Sequence, residues 1–194
     1  MVVLPIVNSI FNSMSYLIGK DIVVDVGDWS PSYSGLIFVL LTHCHYDHIY
    51  GLNTVLRQCP NVRIYTNESG REMLLNERKN LSFYHELPFV VSDPSRIVTV
   101  KDGEEIAIGE GLTAKAIFTP GHNPSCITWF IDDCLFTGDS YIPGLKTVTN
   151  LPGGNRLQAS SSIELIKHLA NGRTIYPGHR IEVFGMRMAT NGHL

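Results

Sequence analysis

The chain has 194 residues, 44% of them hydrophobic and 17% charged, with a net charge of −3 and an isoelectric point of about 6.2. That balance is globular and long enough for one full-size core, so a single domain over residues 1–194 is expected. No basic run favours nucleic acid or an anionic membrane, and no apolar run reaches transmembrane length.

The N-terminus, Met1-Val2-Val3-Leu4-Pro5, lacks a basic region, and Asn8, Asn12 and Ser13 soon interrupt the apolar residues. It reads as strand, not signal peptide. Cys44, Cys59, Cys126 and Cys134 form no Cys-x-x-Cys pair. With no export signal, they are expected as reduced thiols of a cytoplasmic protein.

Residues 2–7, 14–18 and 21–28 read as strands, the last ending in the Gly27-Asp28 turn. A turn over 30–35 precedes Leu36-Ile37-Phe38-Val39-Leu40-Leu41, a continuous apolar run that predicts a buried strand. Ile49, Leu52, Val55 and Leu56 predict a helix over 48–58, ended by Pro60. A short strand at 62–65, a helix at 68–76 and a loop over 77–95 follow. Tyr84, His85 and Phe89 in that loop could form part of a lid, but an aromatic loop packing on its own domain is the stronger expectation. Strands are predicted at 96–100, 104–108 and 112–118, with Asp102-Gly103 turning the first two into a hairpin. Another hairpin, 126–131 with 134–137, turns at Asp132-Asp133. A Gly- and Pro-rich loop over 141–154, a helix over 156–169 and a strand at 174–176 complete the pattern. His168 and His193 read as surface residues. The alternation predicts an α/β chain of two packed sheets with helices outside.

Chemistry concentrates in Thr42-His43-Cys44-His45-Tyr46-Asp47-His48, where the buried strand leaves the core. In extended geometry His43 and His45 point the same way and Cys44 the other. Three later positions share that context. His122 follows a strand and Pro120-Gly121, Asp139 follows a strand and Gly138, and His179 follows a strand and Pro177-Gly178. Glycine there lets the backbone approach closely and turn sharply. Five of the eight histidines fall in these motifs. Seven N and O ligands without thiolate suit zinc, and tolerate iron or manganese. They exceed what one tetrahedral ion takes and fit two ions that share a carboxylate.

Thr-His-x-His-x-Asp-His, followed in order by Pro-Gly-His, Gly-Asp and Pro-Gly-His, resembles the metallo-β-lactamase superfamily over roughly residues 10–182. The resemblance implies a four-layer αβ/βα sandwich with the site at one edge. It implies that His43, His45 and His122 hold the first metal, that Asp47, His48 and His179 hold the second, and that Asp139 bridges. Within the superfamily the chain is most similar to single-domain glyoxalase II-like hydrolases, through Arg78-Lys79-Asn80-Leu81-Ser82 and Leu151-Pro152-Gly153-Gly154-Asn155. It departs where Thr147-Val148-Thr149-Asn150 stands in place of the usual Gly-Arg-Thr-Asp, so the loop Arg is missing. No C-terminal glutathione-binding domain is expected.

The resulting expectation is a two-zinc hydrolase of a thioester or other small ester, with Asp47 as catalytic residue directing a bridging hydroxide. The alternatives are a mononuclear iron persulfide dioxygenase-like enzyme using His43, His122 and Asp139, and a lactonase or β-lactamase-type ring-opening hydrolase. Asp25 and Asp28 could each accept a ligand imidazole N–H. Tyr141 and Lys146, just beyond Asp139, could touch a small-molecule substrate. Neither oligomeric state nor substrate identity has a signature in the residues.

Overall fold

A computed structural model of the chain describes residues 1–109 and 111–180. His193 and the rest of the tail lie outside the described residues. The first sheet has six strands in sequential order: β1 (Val3–Val7), β2 (Met14–Ile18), β3 (Ile22–Val24), β4 (Phe38–Leu40), β5 (Arg63–Thr66) and β6 (Ile97–Thr99). β1 to β3 pair antiparallel, and β3 to β6 pair parallel. The second sheet comprises β7 (Glu105–Ala107), β8 (Thr113–Phe118), β9 (Ile127–Ile131), β10 (Cys134–Gly138) and β11 (Thr174–Pro177). Its order is β11-β10-β9-β8-β7, and only the β10–β11 pair is parallel. The helices are α1 (Leu52–Gln58), α2 (Glu68–Leu74) and α3 (Arg156–Leu169). None is long and apolar enough to cross a membrane.

Period-2 alternation explains why the first sheet reads as continuous apolar runs. Leu17, Val23, Val39 and Ile64 face outward and pack with Leu52, Val55 and Leu56 of α1 and with Met73 and Leu74 of α2. Their neighbours Tyr16, Ile18, Ile22, Val24 and Leu40 face the other way. They meet Ala114, Ala116, Ile127, Trp129, Ile131 and Phe136 of the second sheet. β2 to β4 are covered on both faces, so hydrophobicity is nearly unbroken along them. This is the two-sheet sandwich with outer helices that the element order predicts.

Two expectations fail locally. The helix does not begin at 48. Residues Tyr46–His48 form a single 3₁₀ turn, and α1 starts at Leu52. The reason is a cross-connection: the Val26 N–H donates to the His48 carbonyl and the Gly51 N–H donates to the Val26 carbonyl. A Cβ at Gly51 would lie 2.0 Å from the Gly27 carbonyl oxygen, so only glycine permits this approach. The 96–108 hairpin is also absent. β6 pairs parallel with β5, and the Asp102-Gly103 turn carries the chain into the second sheet. There the Gly103 N–H donates to the Ala116 carbonyl and the Asp102 carboxylate accepts from the Phe118 N–H. The hairpin that does form joins β7 to β8, through Gly109 and Gly111 at positive φ.

Candidate metal centre

Strands β3, β4, β8, β10 and β11 all deliver their C-terminal ends to one edge of the sandwich. The two sheets are tied there by the Ile127 N–H donating to the Thr42 carbonyl at 2.7 Å and by Trp129 Nε1 donating to the Leu41 carbonyl at 2.9 Å. Beyond β4 the chain carries His43, His45, Asp47 and His48. Beyond β8, β10 and β11 it carries His122, Asp139 and His179. Three glycines make the assembly sterically possible. A Cβ at Gly138 would lie 2.3 Å from Thr42 Oγ1, at Gly178 2.1 Å from Asp139 Oδ1, and at Gly121 2.2 Å from the Ala159 nitrogen.

All seven candidate residues converge. One nitrogen each from His43, His45 and His122 lie within 4.8 Å of one another, and one atom each from Asp47, His48 and His179 do likewise. His45 Nδ1 and His122 Nε2 approach to 2.8 Å. Asp47 Oδ2 is 3.4 Å from Nε2 of both His48 and His179. Asp139 stands between the two groups. Its Oδ2 is 3.2 Å from His179 Nε2 and 3.6 Å from His122 Nε2, and its Oδ1 is 3.7 Å from His48 Nε2.

The outward nitrogens of four rings are held by the protein. His48 Nδ1 lies 2.9 Å from Asp25 Oδ2, and His43 Nδ1 lies 3.2 Å from Thr42 Oγ1. His122 Nδ1 donates to the Val148 carbonyl at 2.8 Å, and His179 Nδ1 donates to the Phe11 carbonyl at 3.0 Å. Each contact suits the neutral tautomer with its hydrogen on Nδ1, the form in which a ring could turn its Nε2 lone pair into the cluster to hold a metal. Asp25, His43 and His48 also converge within ligand distance of one another. Asp25 is nevertheless committed, since it also accepts from the Thr42 N–H at 2.7 Å and the Thr42 hydroxyl at 2.6 Å. It supports His48 as the sequence suggested. Asp28 does not: its carboxylate accepts from the Ser9 N–H, the Ser9 hydroxyl and the Tyr50 hydroxyl. After the left-handed turn at Asp25, φ 56, the chain runs on so that Asp28 faces the loop between β1 and β2.

In the protein stripped of metal, charge and burial divide the cluster. Burial, reinforced by the neighbouring His122, pushes His45 down to about 3, and burial holds His43 well below its ordinary value. Burial also opposes charge on His48, but Asp47, Asp25 and Asp139 outweigh it and push the ring up to about 10. Burial likewise opposes ionisation of Asp139, yet His179, His48 and His122 hold it below the carboxylate range. One half therefore presents neutral imidazoles and the other a concentrated negative field. Both suit a cation. Buried His43 Nε2, His45 Nε2 and Asp139 Oδ1 have no hydrogen-bond partner. His43 Nε2 and Asp139 Oδ1 face the cluster, and such orphaned acceptors fit metal ions, whereas His45 turns its Nδ1 inward toward His122.

Cys44 points into the helix-side core, where burial pushes its thiol up to about 12, so it offers no thiolate to the site. Tyr141 is half-buried and Lys146 exposed on the 141–154 loop. Among the described residues, no hydrogen bond joins either side chain to the cluster. Phe89 is buried in the helix-side core, which removes it from any lid. His85 packs against Tyr46, ring centroids 4.3 Å apart, and His168 is exposed on α3. The residues that sequence reasoning missed are Phe11 and Val148. Both act through backbone carbonyls, which no residue type announces.

The structure is an αβ/βα sandwich with a histidine–aspartate cluster at its strand ends that could hold metal. The chain belongs to the metallo-beta-lactamase superfamily, whose family model matches residues 11–179. It is 30% identical over 144 residues to "Probable metallo-hydrolase YqgX" of Bacillus subtilis, covering 73% of this chain and 67% of that protein. It is 28% identical over 145 residues to "Glyoxylase B2" of Dictyostelium discoideum, covering 73% of this chain and 49% of that protein. It is 27% identical over 179 residues to a "Hydroxyacylglutathione hydrolase" of Hamiltonella defensa, covering 87% and 61%. The chain thus spans only about half to three-fifths of these last two relatives. The solved B3 metallo-beta-lactamase BLEG-1 shares the fold, with a TM-score of 0.81 at 22% identity over 93% of this chain and 92% of that one.

Proposed function

We propose that the chain is a two-metal hydrolase of a thioester or other small ester. The observation that carries this reading is the convergence of five imidazoles and two carboxylates on one space, with buried acceptors left unpartnered. His43, His45 and His122 would hold one ion, Asp47, His48 and His179 the other, and Asp139 would serve both. The nitrogen and oxygen donor set suits zinc, with iron or manganese tolerated. When bound, the ions supply a water acidified to hydroxide near neutral pH and a Lewis acid for the carbonyl. Asp47, at the same edge of the cluster, would accept a hydrogen bond from the attacking water and so help direct it at the carbonyl carbon. His48 is kept in one orientation by Asp25, His122 by the Val148 carbonyl and His179 by the Phe11 carbonyl. No Ser or Cys nucleophile is required.

The named relatives, a glyoxylase and a hydroxyacylglutathione hydrolase, favour a thioester within that class. Val148 stands where the glyoxalase II-like loop has Arg. Its carbonyl still holds His122, so the exchange alters the rim and not the cluster. Beside the cluster, Val148 and Phe11, whose carbonyls reach His122 and His179, present exposed apolar side chains. Such a rim suits a small acyl group with apolar character better than the charged tripeptide of glutathione.

The test is metal analysis of protein produced without added metal, followed by a panel of thioesters, lactones, β-lactams and phosphodiesters. About two zincs per chain and chelator-sensitive thioester hydrolysis are expected. A single iron, with oxygen consumed in the presence of a persulfide, would overturn the reading.

A further inference from the structure

The loop between β1 and β2, residues 8–13, carries more polar bonding than a hairpin connection needs. Phe11 and Asn12 both sit at φ 53, a left-handed conformation that side-chain-bearing residues seldom adopt in succession. The conformation aims the Phe11 carbonyl at His179 Nδ1, 3.0 Å away, and the Asn12 carbonyl at the Arg180 N–H, also 3.0 Å away. Ser13 bridges to His179 through the backbone, and the Met14 N–H donates to the Gly178 carbonyl at 2.8 Å. The buried Ser13 hydroxyl meanwhile donates to the Asp47 carbonyl at 2.7 Å. One loop therefore grips a residue of the first sheet's exit and a residue of the second sheet's last strand.

The far side of the loop is anchored as firmly. Asn8 is buried, and its amide donates to the Ser13 and Ser15 hydroxyls while its oxygen accepts from the Asp28 N–H. A Cβ at Gly27 would lie 2.2 Å from Asn8 Cγ, so glycine makes room for this side chain. Asp28 accepts from the Ser9 N–H at 2.7 Å, the Ser9 hydroxyl at 2.9 Å and the Tyr50 hydroxyl at 2.7 Å. His43, His45 and His122 receive nothing from this loop. Their supports are Thr42 and the Val148 carbonyl.

We infer that the 8–13 loop is a strap that positions Asp47 and His179 for one of the two metal ions, with Ser13 and Asp28 as its clamps. Both are positioning residues, since neither side chain reaches the cluster. The inference rests on the two-metal reading, and the wild-type protein tests that reading separately.

The experiment is titration of metal-stripped protein with zinc against a competing chelator, for wild type, Ser13→Ala and Asp28→Asn. Wild type should show two binding events; a single event would refute the two-metal reading itself. Each variant should keep one event within about twofold and weaken the other about ten- to a hundredfold, the range for loss of a support behind a ligand. Two unchanged events would overturn the strap, as would equal weakening of both, which is what a merely structural loss produces. Should Ser13→Ala lose its cooperative melt, Ser9→Ala at an exposed position removes one Asp28 bond without opening the core. It should weaken the same single event by a few-fold, and no change would overturn the inference.

Discussion

Asp25→Asn isolates the contribution of a charge buried beneath the metal centre. Asp25 sits at φ 56, a conformation that Asn also tolerates, so the backbone need not move. The carboxylate accepts from the Thr42 N–H at 2.7 Å and the Thr42 hydroxyl at 2.6 Å, and faces His48 Nδ1 at 2.9 Å. An amide offers one acceptor oxygen for those three donors, so one is lost and the others become neutral bonds. Hydrogen bonds to charged groups contribute about 1.5–3 kcal/mol and neutral ones about 1 kcal/mol. Relief of the buried charge offsets part of that difference. A net loss of about 2–3 kcal/mol remains, equivalent to a fall in Tm of about 4–12 °C for a chain of this size. His48 also loses the group that fixes its ring, so zinc affinity in its half of the cluster should fall about ten- to a hundredfold. Thermal melts of stripped and zinc-loaded protein, with the zinc titration alongside, measure both effects. A variant matching wild type in melting and in zinc affinity would refute the assignment of Asp25 as the support of His48.

Three further outcomes are expected. His43→Ala should remove bound metal and lower hydrolysis by more than about a hundredfold; undiminished hydrolysis with full metal content would exclude the cluster as the active site. In metal-stripped protein the His48 ring is raised to about 10, against 6.5 for the unperturbed ring, so its protonation favours the folded state. That contribution is complete below about pH 6.5 and is lost as pH rises toward 10. The stripped protein should therefore melt progressively lower from pH 7 to 10, and flat melting temperatures across that range would contradict the cited carboxylate field. Gly121→Ala places a Cβ 2.2 Å from the Ala159 nitrogen at φ 135, where no flexible side chain can give way. It should cost about 3 kcal/mol or more, read as a lower denaturant midpoint, and an unchanged midpoint would show that α3 can shift away from His122.

The side-chain half of the site was readable in the sequence because its chemistry depends on residue type. Imidazoles and carboxylates just past strand ends have few structural uses, and the glycines before Asp139 and His179 mark close backbone approach. Asp25 was readable for the same reason, and Asp28 was not separable from it. Both follow the same strand, and what parts them is contact with residues distant in the chain, His48 for one and Ser9 for the other. In the fold, strands and helices followed from apolar runs and spacing. Pairing across residues 96–108 did not, because an Asp-Gly turn serves a hairpin and a crossover between sheets equally well. Which one forms depends on the Ala116 and Phe118 backbone, residues that lie later in the chain.

The supports of His122 and His179 show where residue types cease to inform. Both are carbonyls, donated by Val148 and Phe11, and any amino acid carries a carbonyl. These two bonds depend on backbone path and place no demand on the side chain at either position. That freedom places the rim of the mouth and the orientation of the ligands on the same residues while keeping the two functions chemically independent. A change such as Val148→Arg would remake the rim while retaining the carbonyl on His122. It should therefore shift preference toward anionic thioesters with zinc content held at the wild-type value. Loss of zinc in that variant would mean that the loop's path depends on the side chain after all, and that rim and cluster are coupled.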